Sequence, residues 1–105
     1  MPVLNKSSKG FVGIITAELY FPENGSLKGK RMYLRRIRDQ LTRRHGASFA
    51  EVGHQDLWQR SRIVLAVAAS DLRVLEEAFD RVRAYLDGQE WVLTSCTTEV
   101  VDVDA

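Results

Sequence analysis

Apolar and polar positions follow two different periods along the chain and divide it into strands and helices. Residues 11–21 and 63–69 carry apolar side chains on both alternating parities, which predicts two strands in the interior of a sheet. Residues 27–45 change to helical spacing, and residues 72–87 form a second amphipathic helical pattern. The apolar stripe of the first helix consists of Leu27, Leu34, Ile37 and Leu41.

The remaining apolar stretches complete a recognisable order of elements. Residues 47–52 predict a short strand, residues 58–69 a third strand and residues 91–103 a last strand rich in valine and threonine. The order is therefore β-α-β-β-α-β, which is typical of an α+β ferredoxin-like split fold. This fold has four antiparallel strands with both helices on one face. Its first and third strands form the central pair.

Local signals mark the ends of the first helix. Ser26 is predicted as its N-cap and Gly46 as the left-handed residue that follows its last turn. Gly29 stands where a glutamate would complete a capping box, so we expect a helix start weaker by about 1 kcal/mol. Residues 1–9 show no periodicity and are predicted as a mobile tail, which leaves residues 10–105 as a single domain.

Composition narrows the classes of protein to consider. Cys96 is the only cysteine among the 105 residues, which excludes an intramolecular disulfide and a multi-cysteine metal or redox site within one chain. A lone thiol is most easily kept in a reducing compartment, so we expect a cytoplasmic protein. No apolar run reaches the roughly 18 residues needed to span a bilayer, and residues 1–9 lack the apolar core of a signal peptide. We predict no metal and no cofactor.

The first predicted helix concentrates positive charge. Eight basic residues lie on it against Asp39 alone, which gives a net charge of +7. A ridge of this kind can neutralise several phosphates of a nucleic acid. The alternative is a solvated helix face with Arg35–Asp39 and Asp39–Arg43 pairs. The residues predicted to bind phosphate are Lys28, Arg31, Arg35, Arg36 and Arg43.

Residues 51–60 are the stretch richest in side chains that titrate and hydrogen-bond. Glu51, His54 and Asp56 could form an acid/base group or a metal site, but no second histidine or recognisable nucleophile lies nearby. We favour a connection that braces the architecture or a subunit interface. The candidate interface or ligand-binding residues are Glu51, His54, Gln55, Asp56, Trp58 and Arg60.

Trp58 admits two interpretations. It could be a platform on which a nucleic-acid base stacks. We favour packing in the core or at a subunit contact, which is more frequent for an aromatic side chain in such a position.

The sheet face opposite the helices is predicted to be smooth and aliphatic. An RNA-recognition-motif domain would need exposed aromatic side chains in the middle of its central strands, and none is present. An apolar patch of this kind predicts self-association, most simply a homodimer with two-fold symmetry. The residues on this face of the central strands are Val12, Ile14, Thr16, Glu18, Tyr20, Val64, Ala66 and Ala68.

Three stretches resemble the YlxP-like family of small bacterial proteins, also called domain of unknown function 503. They are Phe11-Val12-Gly13, Ser26-Leu27-Lys28 followed by Lys30-Arg31, and the most specific one, residues 51–60. The resemblance covers residues 11–103. Gly29 departs from it, because the family usually has an acidic residue there.

The resemblance implies a ferredoxin-like, self-associating protein. Family members are often encoded beside translation and ribosome-maturation factors, which suggests RNA or the ribosome as the partner. Our leading hypothesis is therefore a non-enzymatic protein that forms a homodimer or a higher homo-oligomer through the open sheet face and binds structured RNA or the ribosome through the first helix. The second is a dimeric small-molecule-binding regulatory module that uses residues 51–60. The third is an enzyme in which His54 acts with Asp56 or Glu51.

Overall fold

The computed structural model describes residues 9–88 and 90–104, which form one four-stranded antiparallel sheet and two helices. The strand order is β2-β3-β1-β4, so β1 and β3 are the central pair. This arrangement confirms the predicted ferredoxin-like α+β fold. The elements are β1 (Lys9–Tyr20), α1 (Leu27–His45), β2 (Ser48–Gly53), β3 (Arg60–Ala69), α2 (Leu72–Leu86) and β4 (Val92–Asp104).

The register of the central strands separates a buried face from an open face. Ile15 lies opposite Leu65 and Ala17 opposite Ile63, and all four are buried beneath the helices. At Gly13, a Cβ atom would lie within 2.6 Å of Leu75 of α2, so the missing side chain lets this helix approach β1 closely. We call the other sheet surface the open face; it carries Val12, Ile14, Thr16, Glu18, Arg62, Val64, Ala66 and Ala68.

Aromatic side chains close the core at the end of β1. The ring centroids of Phe21 and Tyr33 lie 4.9 Å apart, and Trp91 lies 6.3 Å from Phe21 in an edge arrangement. These separations are those of favourable aromatic pairs. The indole Nε1 of Trp91 donates to the carbonyl of Leu86 at 2.9 Å, so this buried ring leaves no unpaired polar group.

Both predicted ends of α1 are confirmed. The Ser26 Oγ accepts from the backbone nitrogen of Gly29 at 2.9 Å, which satisfies a free donor of the first turn. Gly46 has φ of 61°, and its N–H donates to the carbonyl of Thr42 at 3.1 Å. At the start of α2 the N-cap is Asp71, whose side chain accepts from the backbone nitrogen of Arg73 at 2.8 Å.

Two element boundaries differ from the prediction by two residues, and the others by one residue at most. Lys9, expected in the tail, begins β1 and pairs with β4, while the rest of the predicted tail, residues 1–8, lies outside the described residues. β3 begins at Arg60 and not at Trp58. The carbonyl of Trp58 accepts from the side chain of Asn24, and that of Gln59 accepts from the backbone nitrogen of Phe21, so both residues are bonded to the segment that follows β1. Neither helix of the described chain is long and apolar enough to cross a membrane.

Candidate functional site

The connection between β2 and β3 does not bring Glu51, His54 and Asp56 together. Glu51 lies opposite Ile63 on the buried face of the sheet. The backbone then turns at His54, whose φ of 58° is left-handed, and the imidazole reaches Glu18 on the open face. Asp56 is exposed. The structure therefore does not assemble the acid/base group considered for these three residues.

Lys30 fixes this connection from the helix side of the sheet. Its side chain is 2% exposed, and its Nζ lies 3.0 Å from Oε2 of Glu51. The same ammonium donates to the carbonyls of His54, Gln55 and Arg60 at 2.9, 3.1 and 3.3 Å. A buried charge is tolerated only when it is paired and hydrogen-bonded in this way. Lys30, one of the eight basic residues of the helix, is thus removed from the surface and neutralised inside the protein.

The sequence contains a signal for this buried pair, although the charge pattern alone placed Lys30 among the surface cations. Lys30 lies three residues after Leu27 and four before Leu34, so it falls within the apolar stripe of α1. Glu51 shares the inward parity of β2 with Phe49. A single base and a single acid, each at an inward position, predict a buried ion pair. The Ser61 Oγ donates to the same Oε2 of Glu51 at 2.7 Å.

Asn24 joins the connection to the start of α1. Its side-chain amide is nearly buried and donates to the carbonyls of Ser26 at 2.8 Å and Trp58 at 2.6 Å. A Cβ atom at Gly29 would overlap Oδ1 of Asn24. The glycine that we expected only to weaken the helix start therefore makes room for the amide that holds the Trp58 backbone.

A second polar cluster lies on the open face around Glu18. Its Oε1 is 3.0 Å from Nε2 of His54 and 3.7 Å from Nη2 of Arg60, and its Oε2 accepts from Nε of Arg62. Sequence reasoning placed Glu18 on this face but did not pair it with His54, which is 36 residues away. The alternation of side chains along a strand shows which face of the sheet Glu18 occupies. It does not show which residue of a neighbouring loop Glu18 will contact.

The charge of this cluster favours an ionised carboxylate. Burial of Glu18 raises its pKa, but the hydrogen bonds and positive charges of Arg62 and His54 outweigh that effect and hold the pKa below its usual value. Glu18 therefore acts as an acceptor that orients the imidazole and the guanidinium groups. Across residues 9–88 and 90–104, no group of three or more histidine, cysteine, aspartate and glutamate side chains is arranged to hold a metal ion.

The exposed face of α1 is strongly basic. Arg36 pairs with Glu90 at 3.0 Å and lies over the ring of Tyr33. Asp39 pairs with Arg38 at 3.4 Å, and not with Arg35 or Arg43 as the solvated-face alternative expected. Within the described part of the chain, the exposed basic side chains of α1 without an ion-pair partner are Lys28, Arg31, Arg35, Arg43 and Arg44.

Trp58 lies at the surface. Its side chain is 54% exposed, which excludes packing in the core and leaves a subunit contact or a stacking platform. It borders a groove of about 430 Å³. His54 is not part of this groove, so the predicted ligand-binding set is divided between two places. The groove is lined by Tyr20, Asp56, Leu57, Trp58, Gln59 and Arg60.

Comparison with solved structures agrees with the fold. A chain described as "Structural Genomics, protein YJCS" superposes with a TM-score of 0.51 at 13% identity, covering 84% of this chain and 96% of that one. A chain described as "De novo designed protein Foldit4" gives a TM-score of 0.46 at 14% identity, with 90% and 98% of the two chains covered. At this identity the first likeness concerns the fold alone.

Comparison at the level of sequence identifies the family. The family model described as "Protein of unknown function (DUF503)" matches residues 12–99. The "Uncharacterized protein YlxP" of Bacillus subtilis (strain 168) is 34% identical over 76 residues, which cover 72% of this chain and 83% of the relative. The matched range contains α1 and both polar networks, those of Lys30 and Glu18. The chain therefore belongs to the DUF503 family.

Proposed function

We propose that the protein binds structured RNA through a ridge on α1 formed by Lys28, Arg31, Arg35, Arg36 and Arg43. The observation that carries the proposal is that four of these five exposed cations have no acidic partner among the described residues. With a rise of 1.5 Å per residue, the ridge extends over about 22 Å, long enough to contact several phosphates.

The rest of the domain makes the ridge distinctive. The most buried cation of α1, Lys30, is neutralised by Glu51 and does not contribute to the outer field. The exposed residues of α2 are mixed in sign, because Glu76, Glu77 and Asp80 offset its arginines. One helix therefore presents a positive surface and the other does not, which favours a polyanion oriented along α1.

The proposal is non-enzymatic. His54 contacts the carboxylate of Glu18, whose pKa is held low. The same carboxylate also accepts from Arg62, so these contacts orient the side chains. Ribosomal RNA is the proposed target, following the expectation drawn from the YlxP-like resemblance. The proposed role is in ribosome maturation or translation, and the proposed location is the cytoplasm.

The open face supports a second copy of the chain as partner. Val12 lies beside Ala68 and Val101 across three strands, and Ile14 lies beside Ala66 in the next row. Val101 is 42% exposed, so aliphatic surface remains in contact with water in a single chain. A two-fold dimer would cover this surface while leaving the α1 ridge accessible on the other side of each sheet.

Analytical ultracentrifugation tests the dimer. We expect Ile14→Lys to sediment as a monomer at concentrations where the unmodified protein is a dimer. Val74→Lys is the matched control, because Val74 is an exposed aliphatic residue on α2. Equal masses for all three proteins would refute the open face as the interface.

Binding to a ribosomal RNA fragment at about 50 and 200 mM salt tests the ridge. We expect affinity to fall steeply with salt, and the double variant Arg35→Glu/Arg36→Glu to lose most of the binding. The control is Arg81→Glu/Arg83→Glu, which makes the same charge change on α2, where both arginines are exposed. Equal losses in the two variants would show a response to net charge and contradict a site on α1.

The small-molecule-binding module remains the second candidate, and the groove beside Trp58 is the observation that favours it. This groove includes Asp56 and Trp58 of the predicted set but not His54. A panel of free nucleotides in a thermal-shift assay tests the module. We expect a rise in melting temperature that Trp58→Ala abolishes and Arg35→Glu/Arg36→Glu preserves; no rise with any nucleotide would argue against this candidate.

A further inference from the structure

Trp58 combines an exposed side chain with an unusually well-held backbone. Its carbonyl accepts from the nearly buried amide of Asn24 at 2.6 Å. On either side, the ammonium of Lys30 binds the carbonyls of His54 and Arg60. The backbone that carries the exposed indole is therefore held in place, and such pre-organisation lowers the entropy lost when a ligand binds.

The groove beside Trp58 combines apolar surface with one basic residue, Arg60, and one acidic residue, Asp56. Tyr20 and Leu57, which are 38% and 48% exposed, line the groove with Trp58, as does Arg60, whose Nη2 lies 3.7 Å from Oε1 of Glu18. The groove volume of about 430 Å³ is in the range of small-ligand sites. An aromatic surface beside an arginine fits a planar base attached to a phosphate.

The Trp58 groove also lies next to the α1 ridge. The side-chain amide of Asn24 donates to the carbonyls of Trp58 and Ser26, and Ser26 is the N-cap of α1. The backbone beside the groove is therefore bonded to the helix end that carries Lys28 and Arg31. Tyr20 and Arg60 of the groove share the register of Glu18 and Arg62 on the open face, so a strand of RNA that leaves the ridge at this end passes around the end of the sheet to reach Trp58. A protein partner would not need this continuity with a positive ridge, so the position favours a nucleic acid.

We propose that Trp58 stacks an unpaired base of the RNA bound along α1, while Arg60 contacts the neighbouring phosphate. This inference rests on the proposed RNA-binding function and adds the form of RNA that is preferred. A base inside a duplex is already stacked on both faces, whereas a base in a single-stranded end or bulge is free to stack on an aromatic side chain.

Two RNAs that differ in one feature test the inference. One is a blunt hairpin, and the other is the same hairpin with a single-stranded extension of three nucleotides. We expect the unmodified protein to bind the extended hairpin more tightly. Trp58→Ala is expected to weaken that complex by about 5- to 150-fold, the range for stacking of one base on one aromatic ring, and to leave the blunt complex unchanged.

Conservative and control variants separate stacking from general apolar contact. Trp58→Phe is expected to retain a large part of the affinity for the extended hairpin. Val52→Ala shortens an exposed apolar side chain of β2 that lies outside the groove lining and is expected to retain nearly all of it. Intrinsic fluorescence of the unmodified protein gives an independent reading, because Trp91 is 4% exposed and Trp58 is the indole that added RNA can quench. We expect quenching by the extended hairpin and not by the blunt one.

The outcomes distinguish this inference from the proposed function. If the unmodified protein binds neither hairpin, RNA binding itself is refuted. If it binds both equally, Trp58→Ala changes neither affinity and the Arg35→Glu/Arg36→Glu variant abolishes both, the ridge stands and the base site is refuted. If Trp58→Ala changes the sedimenting mass and weakens both complexes together, Trp58 belongs to a subunit contact, which also overturns the base site.

Discussion

Two polar networks lie on opposite sides of the sheet at the same connection, and they differ in what they hold. On the helix side, the Lys30 ammonium is 2% exposed and directs most of its hydrogen bonds to backbone carbonyls. On the open face, Glu18 binds side chains only at its carboxylate, and its partners His54 and Arg62 are 24% and 46% exposed. The first network fixes the path of the chain, whereas the second fixes charged side chains that solvent or a partner can still reach.

Because the two networks differ in this way, we expect different losses of stability when each is disrupted. The largest loss should follow from Lys30→Met. The variant keeps most of the side-chain volume but leaves the Glu51 carboxylate without its positive partner and removes the ammonium donor from three carbonyls. We expect a loss of about 3–5 kcal/mol in the free energy of unfolding, measured by urea denaturation. Lys28→Met, on the exposed side of the same helix, should stay within about 0.5 kcal/mol.

A double variant separates the ion pair from the backbone contacts. Replacing both charges with Lys30→Met/Glu51→Leu removes the unpaired carboxylate, and apolar replacements of buried pairs are often close to neutral. The carbonyls of His54, Gln55 and Arg60 would still have lost the ammonium, although the N–H of Leu57 continues to donate to His54 at 3.0 Å, so we expect only partial recovery. Full recovery would mean that the ammonium's contacts to the backbone contribute little, and the contrast between the two networks would then fail.

The parts of the structure that the sequence predicted are those with local causes. The first helix was predicted with both of its bounds correct, because Ser26 and Gly46 act within one turn of the residues they cap. The central position of β1 and β3 followed from apolar residues on both parities. In each case the side chains that decide the outcome are sequence neighbours.

The candidate site depended on contacts that no local pattern contains. Lys30 reaches residues 24 to 30 positions away, and Glu18 reaches His54 across 36. The left-handed turn at His54 sends its ring away from Glu51, and periodicity cannot predict such a turn at a non-glycine residue. For the same reason the sequence could not decide whether Trp58 was buried, because the Asn24 bond that holds its backbone joins residues 34 positions apart.

An effect of intermediate size on stability is expected at Gly29, where the Asn24 side chain that bonds the Trp58 carbonyl lies against the first turn of α1. Gly29→Ala should gain about 1 kcal/mol from helix propensity. The new methyl group would displace the Asn24 side chain, which donates two hydrogen bonds worth about 1 kcal/mol each. When that side chain moves, the Trp58 carbonyl loses its donor. We expect a net loss of about 1–2 kcal/mol in urea denaturation.

Gly25→Ala is the matched control for this substitution. Gly25 also precedes the helix, but a Cβ atom there would meet no atom within 4 Å. We expect its stability to stay within about 0.5 kcal/mol of the unmodified protein. If Gly29→Ala were stabilising, the glycine would be the simple weakness that the sequence suggested, and Asn24 would not depend on it.

The smallest expected effect belongs to the open face and appears as a dependence on pH. The pKa of Glu18 is lower in the folded protein than its ordinary value of 4.5, because the contacts of Arg62 and His54 outweigh burial. Between these two pKa values the unfolded chain binds more protons than the folded one. The contribution of Glu18 to stability is therefore fully present above the ordinary value and is lost as the pH falls through the folded pKa. Urea denaturation midpoints measured from about pH 6 to pH 3 should show a steeper acid loss for the unmodified protein than for Glu18→Gln.

Glu23→Gln is the control for this measurement, because Glu23 is exposed and has no ion-pair partner in the described part of the chain. Its midpoints should follow those of the unmodified protein at every pH. Parallel curves for Glu18→Gln as well would mean that Arg62 and His54 give the carboxylate no net stabilisation. The open-face network would then contribute nothing to folding, and its ordered charges would be better explained by what they contact in a dimer.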